Sequence, residues 1–175
     1  NFAPADLNRP DFAANGYAHG VPMGGNLSKP AAGQRPAFLV YAMRDPDGPN
    51  LDRIQVVKGW LGKDGKSQER IFDVAVSGGR KIGADGRCKT LVGSTVDVAN
   101  ATYTNTIGAA MLSAYWKDPT FDASQRAFYY VRVIQIPSPR WTAYDQKRFG
   151  IKMPDYVPMT VTDRAYTSPI WYSPN

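Results

Sequence analysis

Cysteine and histidine are almost missing from this sequence of 175 residues. It has one cysteine, Cys88, and one histidine, His19. A single cysteine cannot close a disulfide within the chain, so the fold does not depend on one. Zinc is typically held by closely spaced Cys and His side chains, and a Ser-His-Asp or Cys-His arrangement needs a histidine as its base. The sequence therefore predicts neither a zinc site nor a catalytic triad.

His19 and Cys88 are themselves interpreted as loop residues without a chemical role. His19 lies in a turn-rich stretch, with nothing nearby that supports catalysis. Two cations, Arg87 and Lys89, flank Cys88 and would favour the thiolate, which is the reactive form of cysteine. A catalytic thiol also needs a base and an oxyanion hole, and the sequence shows neither.

Long apolar runs are missing as well. No stretch approaches the ~18 apolar residues of a membrane span, so we expect no membrane span. The first residues, 1–4, have neither the basic nor the apolar region of a signal peptide. The chain also begins without Met. We therefore expect a processed product or a piece of a longer protein.

Concentrated positive charge is absent too, although the net charge is +6. The densest basic group is Arg80, Lys81, Arg87 and Lys89, inside a glycine-rich stretch, and the other cations are spread along the chain. A nucleic-acid interface typically carries a clustered basic stripe. We interpret the charge as a solvated surface and expect no nucleic-acid partner.

Short segments of strand-forming residues between Gly and Pro turns dominate what is present. Segment 37–43 is apolar on both faces, which predicts a central strand. Segment 62–66 predicts a hairpin turn, and 70–76 should place Phe72, Val74 and Val76 on one face of the returning strand. The remaining predicted strands are 53–60, 94–98, 111–116, 127–136 and a last one within 161–172.

Two short helices are predicted. Pro10 could open the first, over residues 11–14, with Gly16 or Gly20 as its stop. A capping box from Thr142 to Asp145 should open the second, and Gly150 should close it.

These elements predict a mostly β fold, an antiparallel β-sandwich of immunoglobulin-like type with one or two short helices. Residues 1–36, rich in Pro, Asn, Gly and Ala, should form a long irregular N-terminal arm packed on the domain. Residues 37–175 should form the sandwich.

Acidic turns offer one candidate cation site. Oxygen ligands in a tight turn suit Ca²⁺, but the EF-hand spacing is not met and Asp-Pro and Asp-Gly are ordinary turn formers. The same carboxylates could do acid–base work if one were desolvated. The candidate residues fall in two loops, with Asp45, Asp47, Asn50 and Asp52 in the first and Asp118 and Asp122 in the second.

Two further patterns could bind ligands. The glycine-rich segment 77–83 could cradle a phosphate, but it matches neither a Walker loop nor a dinucleotide fingerprint, and a mobile hairpin loop is the better interpretation. Aromatic side chains could instead form a carbohydrate or base-stacking platform, although aromatics on strands more often belong to a core. The platform candidates are Trp60, Trp116, Tyr129, Trp141 and Trp171.

Six segments, in order over nearly the whole chain, resemble the C-terminal part of a bacterial family known only as domain of unknown function thirty-six-oh-four. They are GVPMGG (20–25), NLDRIQVVKGW (50–60), ATYTNTIG (101–108), RAFYYVRV (126–133), IPSPRW (136–141) and TSPIWY (167–172).

The resemblance implies a larger parent protein. Family members look like long exported proteins whose N-terminal part is similar to PHP and amidohydrolase-like metal-dependent hydrolases. The metal ligands of that part would lie upstream of residue 1, so no metal ligand, cofactor or catalytic residue is expected here. The resemblance implies a periplasmic or secreted protein whose partner is an upstream catalytic domain of the same parent.

Three hypotheses remain open at this point. The first is a non-catalytic accessory or structural domain of a metal-dependent hydrolase of unknown substrate. The second is a binding module for carbohydrate or an anionic polymer, which uses the aromatic side chains or the basic loop. The third is an enzyme in its own right, built on the two acidic loops.

Overall fold

Strands form most of the regular structure in the computed structural model, which describes residues 2–174. Their order along the chain interleaves with one 3-10 helix and two α-helices. The helices are the 3-10 helix Pro4–Asn8, α1 Phe12–His19 and α2 Trp141–Phe149. The strands are β1 Asn26–Leu27, β2 Ala37–Met43, β3 Leu51–Leu61, β4 Ser67–Val76, β5 Met111–Lys117, β6 Ala127–Gln135, β7 Ser138–Pro139, β8 Thr160–Val161, β9 Arg164–Tyr166 and β10 Ile170–Tyr172.

A six-stranded sheet forms the larger layer. Its strand order is β1-β10-β6-β3-β4, and β9 pairs with β6 beyond the end of β10. All neighbours are antiparallel except β1 and β10, which run parallel. β6 lies in the middle of this order, and its neighbour β3 is buried over nearly its whole length.

A two-stranded ribbon of β2 and β5 forms the smaller layer and packs on one face of the sheet. Phe38 and Val40 of the ribbon meet Ile54, Val56 and Tyr129 of the sheet. The aromatic rings interlock, with the centroids of Phe38 and Tyr129 4.8 Å apart. The predicted mostly β, sandwich-like fold is confirmed.

The prediction that segment 37–43 is a central strand is wrong. This segment is β2, which pairs only with β5. Its inner face packs on the sheet, whereas the N-terminal segment covers only part of its outer face, where Met43 remains 75% exposed. There the rings of Tyr41 and Phe12 lie 4.6 Å apart, and the Tyr41 hydroxyl donates to the carbonyl of Leu7 at 3.1 Å. The apolar residues of the outer face are therefore covered in part by a helical arm and not by further strands.

The strict alternation predicted for 70–76 is interrupted by a β-bulge. Ile54 of β3 pairs with Ala75, but the next residue, Gln55, pairs with Asp73, so that Val74 is an extra residue. Phe72 and Ala75 consequently share the core face, and Asp73 is buried on the opposite face. The bulge thus moves a carboxylate beneath the loop that follows β4.

Two local predictions are also wrong. Residues 94–98 form no strand, and only an isolated bridge joins Asp97 to Thr102. The helix α2 begins two residues earlier than predicted, at Trp141, because its N-cap is Arg140 and not Thr142, and Arg140 has no side-chain cap. The Thr142 hydroxyl donates to the carbonyl of Pro158 at 2.6 Å and so is not a capping group. Gly150 does end the helix, in the left-handed conformation.

Candidate functional site

The face of the sheet that points away from the ribbon carries several aromatic side chains in register on neighbouring strands. Register places Phe128 and Tyr130 of β6 on this face, opposite Gly59 and Val57 of β3. Cross-strand pairing adds Trp171 of β10 beside Phe128, and Tyr166 of β9 stands beside Arg132 on the same face. We call the four rings of Phe128, Tyr130, Tyr166 and Trp171 the aromatic strip.

Ring contacts make the strip continuous. The centroids of Trp171 and Phe128 are 5.4 Å apart, those of Phe128 and Tyr130 are 6.4 Å apart with planes only 10° from parallel, and those of Tyr130 and Tyr166 are 6.2 Å apart. Trp171 and Tyr166 keep 47% and 56% of their surface exposed. The strip is therefore open to solvent along its length.

A glycine beneath the strip, Gly59, lets the aromatic rings lie close to the sheet. The ring of Phe128 leans over Gly59 so closely that a Cβ placed there would lie 2.3 Å from the ring. Beside it, Tyr130 pairs with Val57, which is fully buried. Both rings thus lie against β3, and any larger residue at 59 would lift Phe128 away from the sheet.

Arginines stand at one end of the strip. The Nε of Arg132 donates to the side-chain oxygen of Gln55 at 2.7 Å. Its two Nη groups have no hydrogen-bond acceptor within residues 2–174. Arg164, two residues before Tyr166 on β9, lies on the same face and is exposed. The strip thus ends beside two guanidinium groups, one half-buried and one exposed.

Behind Arg132 lies a buried cluster of charges, which we call the loop clamp: Asp52, Arg53, Asp73 and Arg80. Arg53 donates to Asp52 at 2.9 Å and to Asp73 at 3.2 Å, and Arg80 forms an ion pair with Asp52. Burial disfavours the charge on Arg53, but Asp52 and then Asp73 outweigh it, and the pKa of Arg53 is raised above its ordinary value.

The loop clamp holds the glycine-rich loop 77–92 on the sheet. Arg80 also donates to the carbonyls of Ser77 at 2.9 Å and Thr90 at 3.0 Å. The backbone N–H of Cys88 donates to Asp73 at 2.7 Å. Arg80, in the segment 77–83 that could have cradled a phosphate, therefore points inward, and its hydrogen bonds order the loop.

A second buried ion pair crosses the core. Lys58 lies 2.7 Å from Asp118, which also accepts from the Tyr129 hydroxyl at 2.8 Å. The backbone N–H and hydroxyl of Thr120 occupy the other carboxylate oxygen. Burial, and then the charge of Asp118, raise the pKa of the Tyr129 phenol far above its ordinary value. In residues 2–174, no buried side-chain nitrogen or oxygen is left without a partner.

The two predicted acidic loops do not come together. Asp52 is the second residue of β3, whereas Asp118 is bound to Lys58, six residues further along the strand and roughly 20 Å away at the rise of a strand. Asp45 accepts the backbone N–H of Asp47 in an exposed turn. Asp122 accepts from Ser124 in another, and these bonds hold the pKa of Asp122 below its ordinary value. No group of three or more His, Cys, Asp or Glu in the described chain is placed to hold a metal.

The predicted aromatic platform is divided among three places. Trp116 and Tyr129 belong to the core, where their centroids are 6.5 Å apart, and Trp60 packs against it. Trp141 is exposed on α2. Of the five candidates only Trp171 joins the aromatic strip.

The profile of the family described as "Protein of unknown function (DUF3604)" matches residues 1–174. The chain belongs to this family. The membership of this family that the six segments predicted is thereby confirmed. No curated protein and no solved structure gives a significant match to this DUF3604 chain. Over its described residues, no helix has both the length and the apolar character needed to cross a bilayer.

Sequence reasoning on this DUF3604 domain missed three residues of the aromatic strip, Phe128, Tyr130 and Tyr166. A signal was available, because Phe128 and Tyr130 share a face of the strongest predicted strand while Tyr129 takes the other. What the sequence did not reveal is that only one face of that strand is covered by a second layer. The basic end of the strip depends on the pairing of β6 with β9, which no local pattern shows.

Proposed function

We propose that this chain is a non-catalytic accessory β-domain of a longer, exported metal-dependent hydrolase, and that its contribution is binding. Its partner would be an upstream catalytic domain of the same parent protein, in the periplasm or outside the cell. The resemblance of the six segments supports the parent and the location. The aromatic strip supports the binding role.

The observation that carries the proposal is the contrast between the buried charges and the open face. Both buried clusters are engaged internally, Asp118 with Lys58 and the loop clamp with loop 77–92. Such pairs contribute to specifying the fold, and they lie beneath packed elements. The aromatic strip, in contrast, exposes large rings in register on a rigid sheet, which is the usual construction of a binding surface.

Metal content and turnover test the non-catalytic role. The purified chain would be dialysed against trace Ca²⁺, Mn²⁺ and Zn²⁺ and analysed by elemental mass spectrometry, then assayed with nitrophenyl phosphate and nitrophenyl acetate. We expect cooperative unfolding, no bound metal and no turnover above the buffer rate. Near-stoichiometric metal, or turnover that Asp118→Asn abolishes, would contradict the proposal.

A binding module for carbohydrate is the second candidate, and the aromatic strip favours it. Sugar rings expose C–H groups that pack on aromatic faces, and the strip offers four rings at spacings of 5.4–6.4 Å. This role is compatible with the first, because an accessory domain can hold a substrate close to a catalytic domain.

A further inference from the structure

We infer that the aromatic strip, together with Arg132 and Arg164, binds an anionic polysaccharide. Sugar rings would pack on the aromatic side chains, and a carboxylate or sulfate group would pair with the guanidinium groups at the end of the strip. This inference rests on the proposed binding role and names its ligand class.

The exposure and the order of the aromatic strip support the inference that sugar rings pack on it. Trp171 and Tyr166 are about half exposed, and they flank the half-buried Phe128 and Tyr130. Gly59 and Val57 support the two central rings from below. A ligand would therefore meet rings that are already positioned, so little side-chain entropy would be lost on binding.

The orientation of Arg132 supports the inference that the ligand carries an anionic group. Gln55 accepts its Nε at 2.7 Å, and Gln55 in turn donates to Asp73 at 2.7 Å. Arg132 is thus tethered through its inner nitrogen, while its two Nη groups have no acceptor in the described residues. A guanidinium presents two parallel N–H groups that match the geometry of carboxylate and sulfate oxygens. Arg164 adds a second cation on the same face.

The charges around this end favour an anion. The loop clamp contributes two arginines and two aspartates, and Arg87 lies 3.6 Å from Asp73. With Arg132 and Arg164, five guanidinium groups stand against the two carboxylates of the loop clamp and that of Asp163, next to Arg164. Besides Asp73, the acidic residue of β4 on this face is Glu69, which pairs with Gly59 away from the basic end. An acidic ligand would therefore be attracted to one end of the strip.

The same distribution distinguishes a polysaccharide from a nucleic acid. A single-stranded nucleic acid carries a phosphate at every unit, and the grooves that bind it have cations along the backbone path. Here Arg132 and Arg164 lie together at one end of the strip, and the flank beside Gly59 carries Glu69. A chain of sugars with an acidic group at the basic end fits this arrangement better.

Affinity electrophoresis and tryptophan fluorescence titration would test the inference. The probes are polygalacturonate for carboxylates, heparin for sulfates, dextran as a neutral polymer and an oligo-dT strand. We expect binding to polygalacturonate or heparin that weakens from 50 to 200 mM salt, and which of the two binds will identify the anionic group. Trp171→Ala and Arg132→Gln should each weaken binding roughly tenfold or more, because hydrogen bonds to charged groups and ring stacking contribute this much.

Matched controls separate the strip from the rest of the surface. Trp141→Ala removes another exposed tryptophan and Arg148→Gln another arginine, both on α2, and neither should change the affinity. Arg132→Lys keeps the charge and the fold but loses the planar fork, so an intermediate loss is expected. Circular dichroism would verify that each variant is folded.

Three outcomes would overturn the inference: equal binding to dextran, stronger binding to oligo-dT, or wild-type affinity in Trp171→Ala. Binding to none of the four probes would also overturn it. Failure here is distinguishable from failure of the non-catalytic role, because metal content and turnover are measured independently of any polysaccharide.

Discussion

Replacing Lys58 with Met should destabilise the protein strongly. Lys58 lies 2.7 Å from Asp118, and the two side chains are 3% and 0% exposed. Met retains the apolar stem that packs beside Trp60 and Tyr129 but removes the charge. Removing one partner of a buried pair costs about 3–5 kcal/mol, because the other charge is left uncompensated.

This loss should be visible in both chemical and thermal unfolding. For a domain of this size, each kcal/mol lowers the Tm by about 2–4 °C, so Lys58→Met should melt roughly 6–20 °C lower than the wild type. Urea titration followed by tryptophan fluorescence would give the free energy of unfolding directly. The double variant Lys58→Met with Asp118→Asn should regain about half of the loss or more, because the amide still accepts from Tyr129 and Thr120 without a charge.

An exposed lysine provides the control. Lys66 lies in the hairpin turn between β3 and β4, and Lys66→Met should stay within about 0.5 kcal/mol of the wild type. A loss below about 1 kcal/mol in Lys58→Met would refute the reasoning, and so would a double variant that is no more stable than the single one. Either result would mean that Asp118 does not depend on Lys58 for its charge balance.

Two further predictions concern alkaline stability and a glycine. Folding raises the pKa of Tyr129 above the 10.0 of a free phenol, so the contribution of Tyr129 to the free energy of unfolding is complete below pH 10 and falls by about 1.4 kcal/mol per pH unit above it. Urea titrations should therefore show that the stability difference between the wild type and Tyr129→Phe shrinks from pH 10 to 11.5. A stability difference that stays constant over this range would contradict the prediction. Gly108→Ala should cost about 2–4 kcal/mol, since φ is +79° and a Cβ would lie 2.6 Å from the Asn50 side chain, whereas Gly65→Ala, at φ +76° in open space, should cost only about 1–2 kcal/mol in the same titration.

The strands were predictable because their patterns are local. The long β-branched and aromatic runs of β3, β4 and β6 and the turn at 62–66 appear in the structure with shifts of a few residues. The role of β2 was not predictable, because what covers its outer face is a distant helical segment that contains Phe12. The residues 94–98 have the composition of a strand but find no partner strand to pair with.

The buried charges left a weak trace in the sequence. Lys58 occupies the same face of β3 as Val56 and Trp60, where an apolar residue would be expected, and this misfit marks a buried cation that needs a counterion. The counterion, Asp118, comes from a loop 60 residues away, which no local pattern could identify. The sequence around Arg132 gave no such signal, because the role proposed for Arg132 depends on its two Nη groups having no acceptor among the neighbouring residues that the structure describes.

The parallel pairing of β1 with β10 has a consequence for folding during synthesis. Asn26 pairs with Trp171, 145 positions later, and β10 itself lies between β1 and β6. At about 5–20 residues per second, a ribosome needs roughly 7–29 s to pass from one of these residues to the other. Throughout that interval β1 lacks its partner strand, and once β6 has been made its edge stays open until β10 emerges, so the nascent sheet is exposed to wrong strand pairing.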